Sequence, residues 1–351
     1  MSSASKPAAD PARRRRIWQA LLGVAVSLLF LSWALRGVAF GDVLREIRAA
    51  NPAYLALSVV LVTSTFPLRA VRWRLLLAAA TGATPRFTPL WQATAIGFMA
   101  NNVLPARAGE VARAWAGGRL TRTPMAIALA TLGVEHIMDG VVVVFLLIVG
   151  IFAAGFPADV RLGQAPIEHI AFTFGALFAA ALLVLMLVVR APDRALGLSD
   201  RVFAWLLPAR AAAWATGIAR HLFAGLTVLR SPRQTTRVLT WSFAVWLTNA
   251  LSYWLAFEAF HLTTLPLTAA FVLQGIVALG VAIPSSPGFL GVFEAMCIVG
   301  LGIYGVTQEQ AVSYAIGVHL AWFVPITVLG LLELSRTGLR FHDMREHKET
   351  A

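Results

Sequence analysis

Two carboxylates inside an apolar stretch are the residues of this chain best suited to chemistry by type and spacing. Glu135 and Asp139 are four residues apart in a segment that begins at Pro124, so a helix places both on one face. At about 1.5 Å per residue they lie roughly 16–22 Å into that segment, near the middle of a bilayer. Each costs about 2.5–3.5 kcal/mol to insert there, and the apolar run 141–152 offsets most of that cost. Insertion is therefore feasible, but the two charges need a paired cation or a water-filled cavity.

Arginines are the candidate partners of these carboxylates. Arg107 and Arg113 are the nearest in sequence, and two interpretations stay open: an ion pair that locks one membrane segment to another, or charges that line the path of a substrate. Three further arginines surround a tryptophan upstream: Arg69, Arg72 and Arg74 lie around Trp73. That pattern is typical of an interface belt, although such arginines could also grip a headgroup phosphate.

Two breaks interrupt the apolar runs, the first break at residues 101–110 and the second break at residues 283–294. Each follows an apolar run, contains proline and glycine, and ends in a carboxylate, Glu110 or Glu294. A broken helix in a bilayer is tolerated only where its backbone is buried in protein or lines a wet cavity. Paired breaks in corresponding positions of two halves therefore predict a transport site.

The second break has a chemistry of its own. Ser285 or Ser286 can cap a helix with Pro287 in its first turn, and the free N–H groups of such a start favour an anion such as phosphate. Gly288 allows a close backbone approach, while Glu294 could balance an arginine or carry a proton. A proline kink with tight helix packing is the alternative. His319, in the last apolar segment, is interpreted as a hydrogen-bonded bundle residue rather than a metal ligand.

Composition predicts an integral membrane protein. Hydrophobic residues make up 58% of the chain and charged residues 13%, against roughly 25% charged in soluble domains. The formal net charge of +12 comes from arginines that flank apolar runs, which is the positive-inside pattern and argues against nucleic acid as a partner.

We expect no metal or other cofactor, because Cys297 is the single cysteine and no zinc, catalytic-triad or nucleotide-binding spacing is present. Any transport is then passive or driven by an ion gradient.

Apolar segments indicate where the chain meets the membrane. They cover residues 17–40, 52–77, 88–104, 124–155, 167–190, 237–260, 266–283, 289–305 and 310–334. With a cytoplasmic N-terminus, a complete crossing by 88–104 would put the basic stretch 107–122 outside, so we predict that 88–104 is re-entrant from the cytoplasmic side. Segments 266–283 and 289–305 form two tilted spans or a hairpin from the outer side. The hairpin would make an inverted-topology repeat.

The predicted fold is an all-α, polytopic membrane helical bundle of about eight membrane segments, two of them broken or re-entrant. The transmembrane domain covers residues 17–335, between cytoplasmic tails at 1–16 and 336–351. A connector, 191–236, lies at the cytoplasmic face, and helical spacing of apolar residues over 201–230 favours a helix in the interface. Residues 42–51 are expected to form an outer loop.

Four motifs of the chain resemble those of a known family. The motifs are Arg69-x-x-Arg72-Trp73, Gly97-x-x-x-Asn101-Asn102-x-Leu104-Pro105-x-Arg107-x-Gly109-Glu110-x-x-Arg113, Glu135-x-x-x-Asp139 and Pro284-Ser285-Ser286-Pro287-Gly288-x-x-Gly291-x-x-Glu294. They look like the lysylphosphatidylglycerol synthase/flippase-like transmembrane family over residues 17–335. One departure is His136, where the family commonly carries arginine.

The resemblance implies a multi-pass protein of the bacterial inner membrane, with both termini cytoplasmic, that moves a lipid headgroup between leaflets. Two-part members add a soluble aminoacyl-transferase domain, an activity that we do not expect in a chain ending at Ala351. Some stand-alone members are associated with hopanoid or glycolipid pathways.

The sequence thus predicts a lipid flippase-like transporter, not an enzyme, for a polar, anionic or glycosylated headgroup. The predicted substrate-binding residues are Arg69, Arg72, Asn102, Arg107, Gly109, Glu110, Arg113, Glu135, Asp139, Ser285, Ser286, Gly288 and Glu294. The alternatives are a scaffold for lipid- or hopanoid-synthesis enzymes and an intramembrane lipid-modifying enzyme. Membrane lipids are the expected partners, and a homodimer and lipid-synthesis enzymes stay open as others.

Overall fold

Long helices alternate with helical hairpins in the computed structural model of the chain. The structure describes residues 25, 27–36, 38, 40–104, 108–154, 161–162, 165–166, 191–226, 231–282 and 285–339, with scattered positions between 173 and 190. The helices are α1 Phe40–Ala49, α2 Pro52–Thr81, α3 Phe87–Val103, α4 Gly109–Thr121, α5 Met125–Ala153, α6 Pro192–Leu206, α7 Ala209–Leu226, α8 Pro232–Ala259, α9 Leu267–Val281, α10 Val292–Gly302 and α11 Gln308–Thr337. A two-residue antiparallel pair, β1 Arg161–Leu162 and β2 Ala165–Pro166, accompanies them. The predicted all-α bundle is confirmed.

Three of the described helices are long and apolar enough to cross a membrane: α2, α5 and α11. Helix α8 is nearly as long, with 28 residues, but Arg237, Ser242 and Asn249 make it less apolar. The long helices have defined ends. Asn51 accepts hydrogen bonds from the N–H groups at the start of α2, and Gly82 ends that helix in the left-handed conformation at φ 72°.

The same order of elements occurs twice. A 30-residue helix, a hairpin and a 29-residue helix form the first half, as α2, α3–α4 and α5. A 28-residue helix, a hairpin and a 30-residue helix form the second, as α8, α9–α10 and α11. The hairpin arms have 17, 13, 15 and 11 residues, so at about 1.5 Å per residue each is shorter than the roughly 30 Å of a bilayer core. Neither hairpin has an arm that could span the membrane alone.

The two hairpins enter the bundle from opposite ends. Helices α2 and α8 are antiparallel, because Ser58 bonds to Ser252 whereas Arg72 bonds to Ser242. We call the end where α2 stops and α8 starts the basic end. Helix α3 starts there, since Gln92 near its beginning bonds to Glu333 near the end of α11.

Helix α9 starts at the other end, where a Cβ on Gly150 of α5 would lie 2.9 Å from the carbonyl oxygen of Thr268. The repeat is therefore inverted, as the hairpin interpretation of the sequence predicts.

Small residues let these helices approach closely. A Cβ at Gly97 would lie 2.6 Å from that of Arg113, and one at Gly109 would lie 2.2 Å from the carbonyl oxygen of Gly97. Both contacts bring α3 against α4. In lipid, where apolar side chains gain little by leaving their surroundings, such close backbone packing is a main source of helix association.

Two local expectations differ from the structure. Residues 42–51, predicted as a loop, lie mostly in the short helix α1, whose polar and apolar residues separate onto two faces. The helix expected over 201–230 is instead divided between α6 and α7, because Pro208 lacks the N–H that would continue the first. Segment 17–40 is described only in part and segment 167–190 only at scattered positions, so the predicted number of membrane segments stays a prediction.

Candidate functional site

A network of five charged side chains lies inside the first half of the bundle. Its members are Arg69 and Arg72 on α2, Arg113 on α4, and Glu135 and Asp139 on α5. Arg72 and Glu135 are fully buried. Glu135 follows the start of α5 by ten residues, and Arg72 precedes the end of α2 by nine, so both lie about 14–15 Å from the basic end. Both residues thus lie well inside their long helices, and the depth of the carboxylates in a membrane stays a prediction.

Asp139 accepts hydrogen bonds from three side chains. Both terminal nitrogens of Arg72 contact its carboxylate, one of them at 3.0 Å, and Arg69 Nη1 approaches at 3.1 Å. The indole N–H of Trp246 on α8 donates at 2.8 Å. Arg72 also donates at 2.7 Å to the hydroxyl of Ser242, one turn before Trp246. Asp139 therefore ties α2, α5 and α8 together.

Glu135 joins the first hairpin to this network. Arg113 on α4 donates to its two oxygens at 2.7 and 3.2 Å, and Arg72 approaches at 2.9 Å. The guanidinium of Arg113 lies 4.6 Å from the ring centre of Trp73, whose indole N–H donates to Thr131 at 3.0 Å. A bidentate arginine–carboxylate pair with a cation–π contact fixes α4 against α5.

The network carries one more positive than negative charge, since three guanidinium groups face two carboxylates. Arg69 is its outermost member: its side chain is 13% exposed, and its guanidinium lies 5.4 and 5.6 Å from the rings of Phe98 and Trp246. Its Nε is a buried donor without a hydrogen-bond partner in the described structure. A surplus cation with an unused donor is suited to an anionic group.

The structure assigns partners that the sequence predicts only in part. The pairing of Arg113 with Glu135 is as predicted. The interface-belt interpretation is wrong for Arg69 and Arg72, which are inside the bundle rather than at its surface. Ser242 and Trp246 are not among the predicted site residues, and their only signal in the sequence is two hydrogen-bonding side chains four residues apart in an apolar helix.

A contact between a glutamate and a histidine lies beside this network. Glu110 at the start of α4 is 3.4 Å from Nε2 of His136 on α5, and their side chains are 31% and 45% exposed. His136 therefore contacts a carboxylate of the α3–α4 hairpin.

The second break is a 3₁₀ turn, Pro287–Phe289, followed by α10. Gly288, Phe289 and Gly291 have φ of 67°, 59° and 83°, and in this region phenylalanine is unusual. The predicted serine cap is wrong in its detail, because Ser286 makes no side-chain capping bond and α10 starts later, at Val292. Glu294 caps that start, with Oε2 accepting from the N–H of Gly291 at 2.6 Å. Part of the expected anion site is thus occupied by the protein's own carboxylate.

His319 on α11 contacts two parts of the second break. Its Nδ1 lies 2.6 Å from Oε1 of Glu294, and its Nε2 lies 2.8 Å from the carbonyl oxygen of Gly288. The backbone N–H of Ser286 donates to the hydroxyl of Ser27 at 3.0 Å. Ser285 is buried, and its hydroxyl has no partner in the described structure.

The two breaks lie close to each other. Asn102, at the end of α3, donates to Thr327 at 2.9 Å and to the carbonyl oxygen of Phe323 at 3.4 Å. A Cβ on Gly288 would meet both Phe323 and the carbonyl oxygen of Asn102. Across the first break, the N–H of Gly109 donates to the Asn101 side chain at 2.9 Å. Residues 105–107 and 283–284 lie outside the described structure, so the prediction for Arg107 is untested.

A cavity of about 400 Å³ opens between α2 and α8 at the basic end. Its lining combines two arginines and two neutral polar residues with apolar ones: Arg74, Arg237, Thr84, Gln234, Val71, Leu75, Ala78, Ala79 and Val238. Arg74 is oriented by a bond from its Nε to the carbonyl oxygen of Pro85 at 2.8 Å. Such a lining suits a charged group attached to an apolar chain.

Comparison with known proteins agrees with these features. A UPF0104 membrane protein of Methanothermobacter thermautotrophicus is 23% identical over 317 residues, 85% of this chain and 89% of that protein. A UPF0104 membrane protein of Methanocaldococcus jannaschii is 22% identical over 177 residues, 49% of this chain and 50% of that protein. The family model described as the lysylphosphatidylglycerol synthase TM region matches residues 20–330. The chain is therefore a membrane protein that belongs to the lysylphosphatidylglycerol synthase transmembrane-region family.

Proposed function

We propose that this protein moves the polar headgroup of an anionic or glycosylated lipid between the leaflets of a bacterial inner membrane. The headgroup passes along the inverted hairpins, and the acyl chains stay in the surrounding lipid. No covalent step is involved. The family, with its membrane lipid-related name, and the repeat of hairpins that stop within the membrane both support this proposal.

The surplus positive charge at mid-depth is the observation that carries the proposal. A buried network with one excess guanidinium charge is costly in a bilayer unless an anion compensates it during part of its working cycle. All three arginines have a buried Nε donor without a partner in the described structure. Arg69 is the group through which an anion would be held, because its side chain is the most exposed of the three, at 13% against 0% for Arg72 and 4% for Arg113. Its contact with a headgroup phosphate would lower the barrier for bringing that phosphate into hydrocarbon.

The arginines at the basic end support the proposed orientation in the membrane. Arginines concentrate where α2 stops and α8 starts, among them Arg86, Arg122 and Arg233. By the positive-inside rule, that end faces the cytoplasm, together with both termini. The cavity lined by Arg74 and Arg237 then offers an anionic headgroup a first binding place on the cytoplasmic side.

Reconstitution tests this proposal. The purified protein is placed in liposomes with fluorescently labelled phosphatidylglycerol, phosphatidylcholine or a glycosylated lipid, and a membrane-impermeant quencher follows leaflet exchange. We expect faster exchange of an anionic or glycosylated lipid than of phosphatidylcholine. Mass spectrometry of the extracted lipid checks that it emerges chemically unchanged. No acceleration for any lipid, with or without imposed proton or sodium gradients, would overturn the proposal.

A matched pair of variants assigns the effect to the network. Arg69→Gln removes a charge-assisted contact worth about 1.5–3 kcal/mol, so exchange should slow by roughly tenfold or more. Arg233→Gln removes an equal charge from an exposed position at the basic end and should leave the rate nearly unchanged. Equal slowing by both variants would mean that general surface charge, rather than the network, sets the rate.

A further inference from the structure

The contacts of His319 contain more acceptors than a neutral histidine can satisfy. Nδ1 faces a carboxylate oxygen of Glu294 at 2.6 Å, and Nε2 faces the carbonyl oxygen of Gly288 at 2.8 Å. A carboxylate and a carbonyl only accept hydrogen bonds, and a neutral imidazole has one N–H to donate. With Glu294 ionised and His319 neutral, one of these short contacts would bring two lone pairs together with no hydrogen between them.

One additional proton removes this conflict. If it is on the ring, both nitrogens donate. If it is on Glu294, the carboxyl group donates to Nδ1, and Nε2–H donates to Gly288. The other oxygen of Glu294 accepts from Gly291 N–H at 2.6 Å in either case. The observed geometry therefore requires a pair that holds one proton more than an ionised glutamate and a neutral histidine.

The additional proton completes the hydrogen bonds that join the second break to α11. Through His319, α11 contacts both the 3₁₀ turn at Gly288 and the start of α10 at Glu294. The turn between these contacts includes Phe289 in the left-handed region, a conformation that costs energy in a non-glycine residue and needs support from its surroundings. Loss of the proton would remove one of the bonds that supply this support.

The residues around the Glu294–His319 pair are mainly apolar or uncharged. The rings of Phe293 and Phe323 lie 4.6 and 6.2 Å from the imidazole. Among the described residues, the buried titratable groups of the neighbouring core are Cys297 on α10, Tyr314 on α11 and Tyr253 on α8. In the described part of the chain, no arginine or lysine lies within ion-pair distance of Glu294. Among the residues that the structure describes, no fixed cation therefore compensates Glu294 in place of the proton.

The inverted repeat contains a counterpart of this pair. His136 is the twelfth residue of α5 and His319 the twelfth of α11, while Glu110 and Glu294 lie in the first turns of α4 and α10. His136 also faces Glu135 and Asp139 on its own helix, and those carboxylates are neutralised by arginines. The side chains of the second pair are only 5% and 12% exposed, against 31% and 45% in the first pair. The first pair is thus much more exposed than its counterpart.

We propose that Glu294 and His319 form a proton-binding site that keeps the second break closed, with Glu110 and His136 as its open counterpart in the first half. For its role in transport this inference rests on the proposed function, and it names the proton as the coupling ion. Proton release opens the second break, and proton binding closes it.

Cys297 provides a reporter for this opening. It is buried one turn after Glu294 and is the only cysteine of the chain, so alkylation by N-ethylmaleimide measures access to the second break. The informative variant is Glu294→Gln. Its amide can donate to Nδ1 and accept from Gly291, which satisfies every bond of the closed form without the additional proton. Glu309→Gln, an exposed change at the start of α11, is the matched control.

The alkylation rate is measured in lipid nanodiscs at about pH 6 and about pH 9, on either side of the range in which histidine ordinarily titrates. At the higher pH we expect the wild-type protein and Glu309→Gln to react about tenfold faster than Glu294→Gln, the change produced by losing a charge-assisted hydrogen bond. At the lower pH the three should agree. Comparison at equal pH cancels the ordinary increase in thiolate. Identical rates for wild type and Glu294→Gln at the higher pH would overturn the proton site.

Leaflet exchange of labelled lipid under an imposed pH gradient separates this inference from the proposed function. Exchange that responds to the gradient in the wild type but not in Glu294→Gln supports both. The expected alkylation difference without lipid exchange in the wild type keeps the proton site and refutes the transport function. Lipid exchange with equal response in both proteins keeps transport and refutes proton coupling.

Discussion

Replacement of Asp139 by asparagine tests whether the charge network is as buried in lipid as it is in the structure. Asp139 accepts hydrogen bonds from Arg69, Arg72 and Trp246, so the variant places an amide donor among donors. It also leaves three guanidinium groups facing the single carboxylate of Glu135. Removing one partner of a buried ion pair typically costs about 3–5 kcal/mol, because the remaining charge is left without compensation. We expect Asp139→Asn to lower the free energy of unfolding by that amount.

The matched control is Asp42→Asn, the same chemical change in an exposed ion pair. Asp42 contacts Arg45 on α1, with side chains 48% and 77% exposed, so its loss should cost about 0–1 kcal/mol. Reversible unfolding in mixed micelles with increasing dodecyl sulfate gives both values. A cost below about 1 kcal/mol for Asp139→Asn would refute the reasoning, since an effect of surface size means that water or lipid headgroups already solvate the network.

Two further substitutions test the packing and the hydrogen bonds around the site. Gly109→Ala would place a methyl group 2.2 Å from the carbonyl oxygen of Gly97 and should destabilise the α3–α4 hairpin by about 1–3 kcal/mol or more. The control is Gly140→Ala, whose methyl group meets open space in α5. In the same unfolding assay it should be neutral or slightly stabilising. Trp246→Phe keeps most of the ring but removes the donor to Asp139, and should cost about 1.5–3 kcal/mol. An unchanged unfolding free energy in Trp246→Phe would mean that the indole bond is absent in lipid.

The first hairpin could be predicted from the sequence, whereas for the second the sequence left two tilted spans or a hairpin open. The positive-inside rule disfavours an external position of the basic stretch 107–122, which predicts that the segment 88–104 turns back, and the structure has the α3–α4 hairpin there. The breaks are also visible, since proline and glycine together in an apolar run interrupt the backbone bonding of a helix. Arg113 could be matched with Glu135 because the two residues are only 22 positions apart.

The partners of Asp139 could not be predicted in the same way. Arg72 lies 67 positions away and Trp246 lies 107 positions away, and both contacts depend on how α2 and α8 cross α5. Arginines beside a tryptophan near a helix end fit an interface belt equally well, so local sequence favours the wrong interpretation for Arg69 and Arg72. The contact between Glu294 and His319 could not be predicted either, because the two residues are 25 positions apart and no local motif marks the histidine.

The physics of the bilayer explains why charge and small residues, rather than apolar side chains, position the first hairpin. Lipid tails are as apolar as leucine, so burying leucine between helices gains little there. Close contact at Gly97 and Gly109 instead brings α3 and α4 together, and the Arg113–Glu135 pair attaches α4 to α5. Because the attachment of α4 to α5 includes a buried ion pair, we expect a change in the charge balance to move the hairpin before it unfolds the long helices. Under the proposed function, a lipid headgroup at Arg69 would change that balance, since Arg69 shares Asp139 with Arg72 and Arg72 also contacts Glu135. We therefore expect anion binding and displacement of the hairpin to be linked through the same five charges.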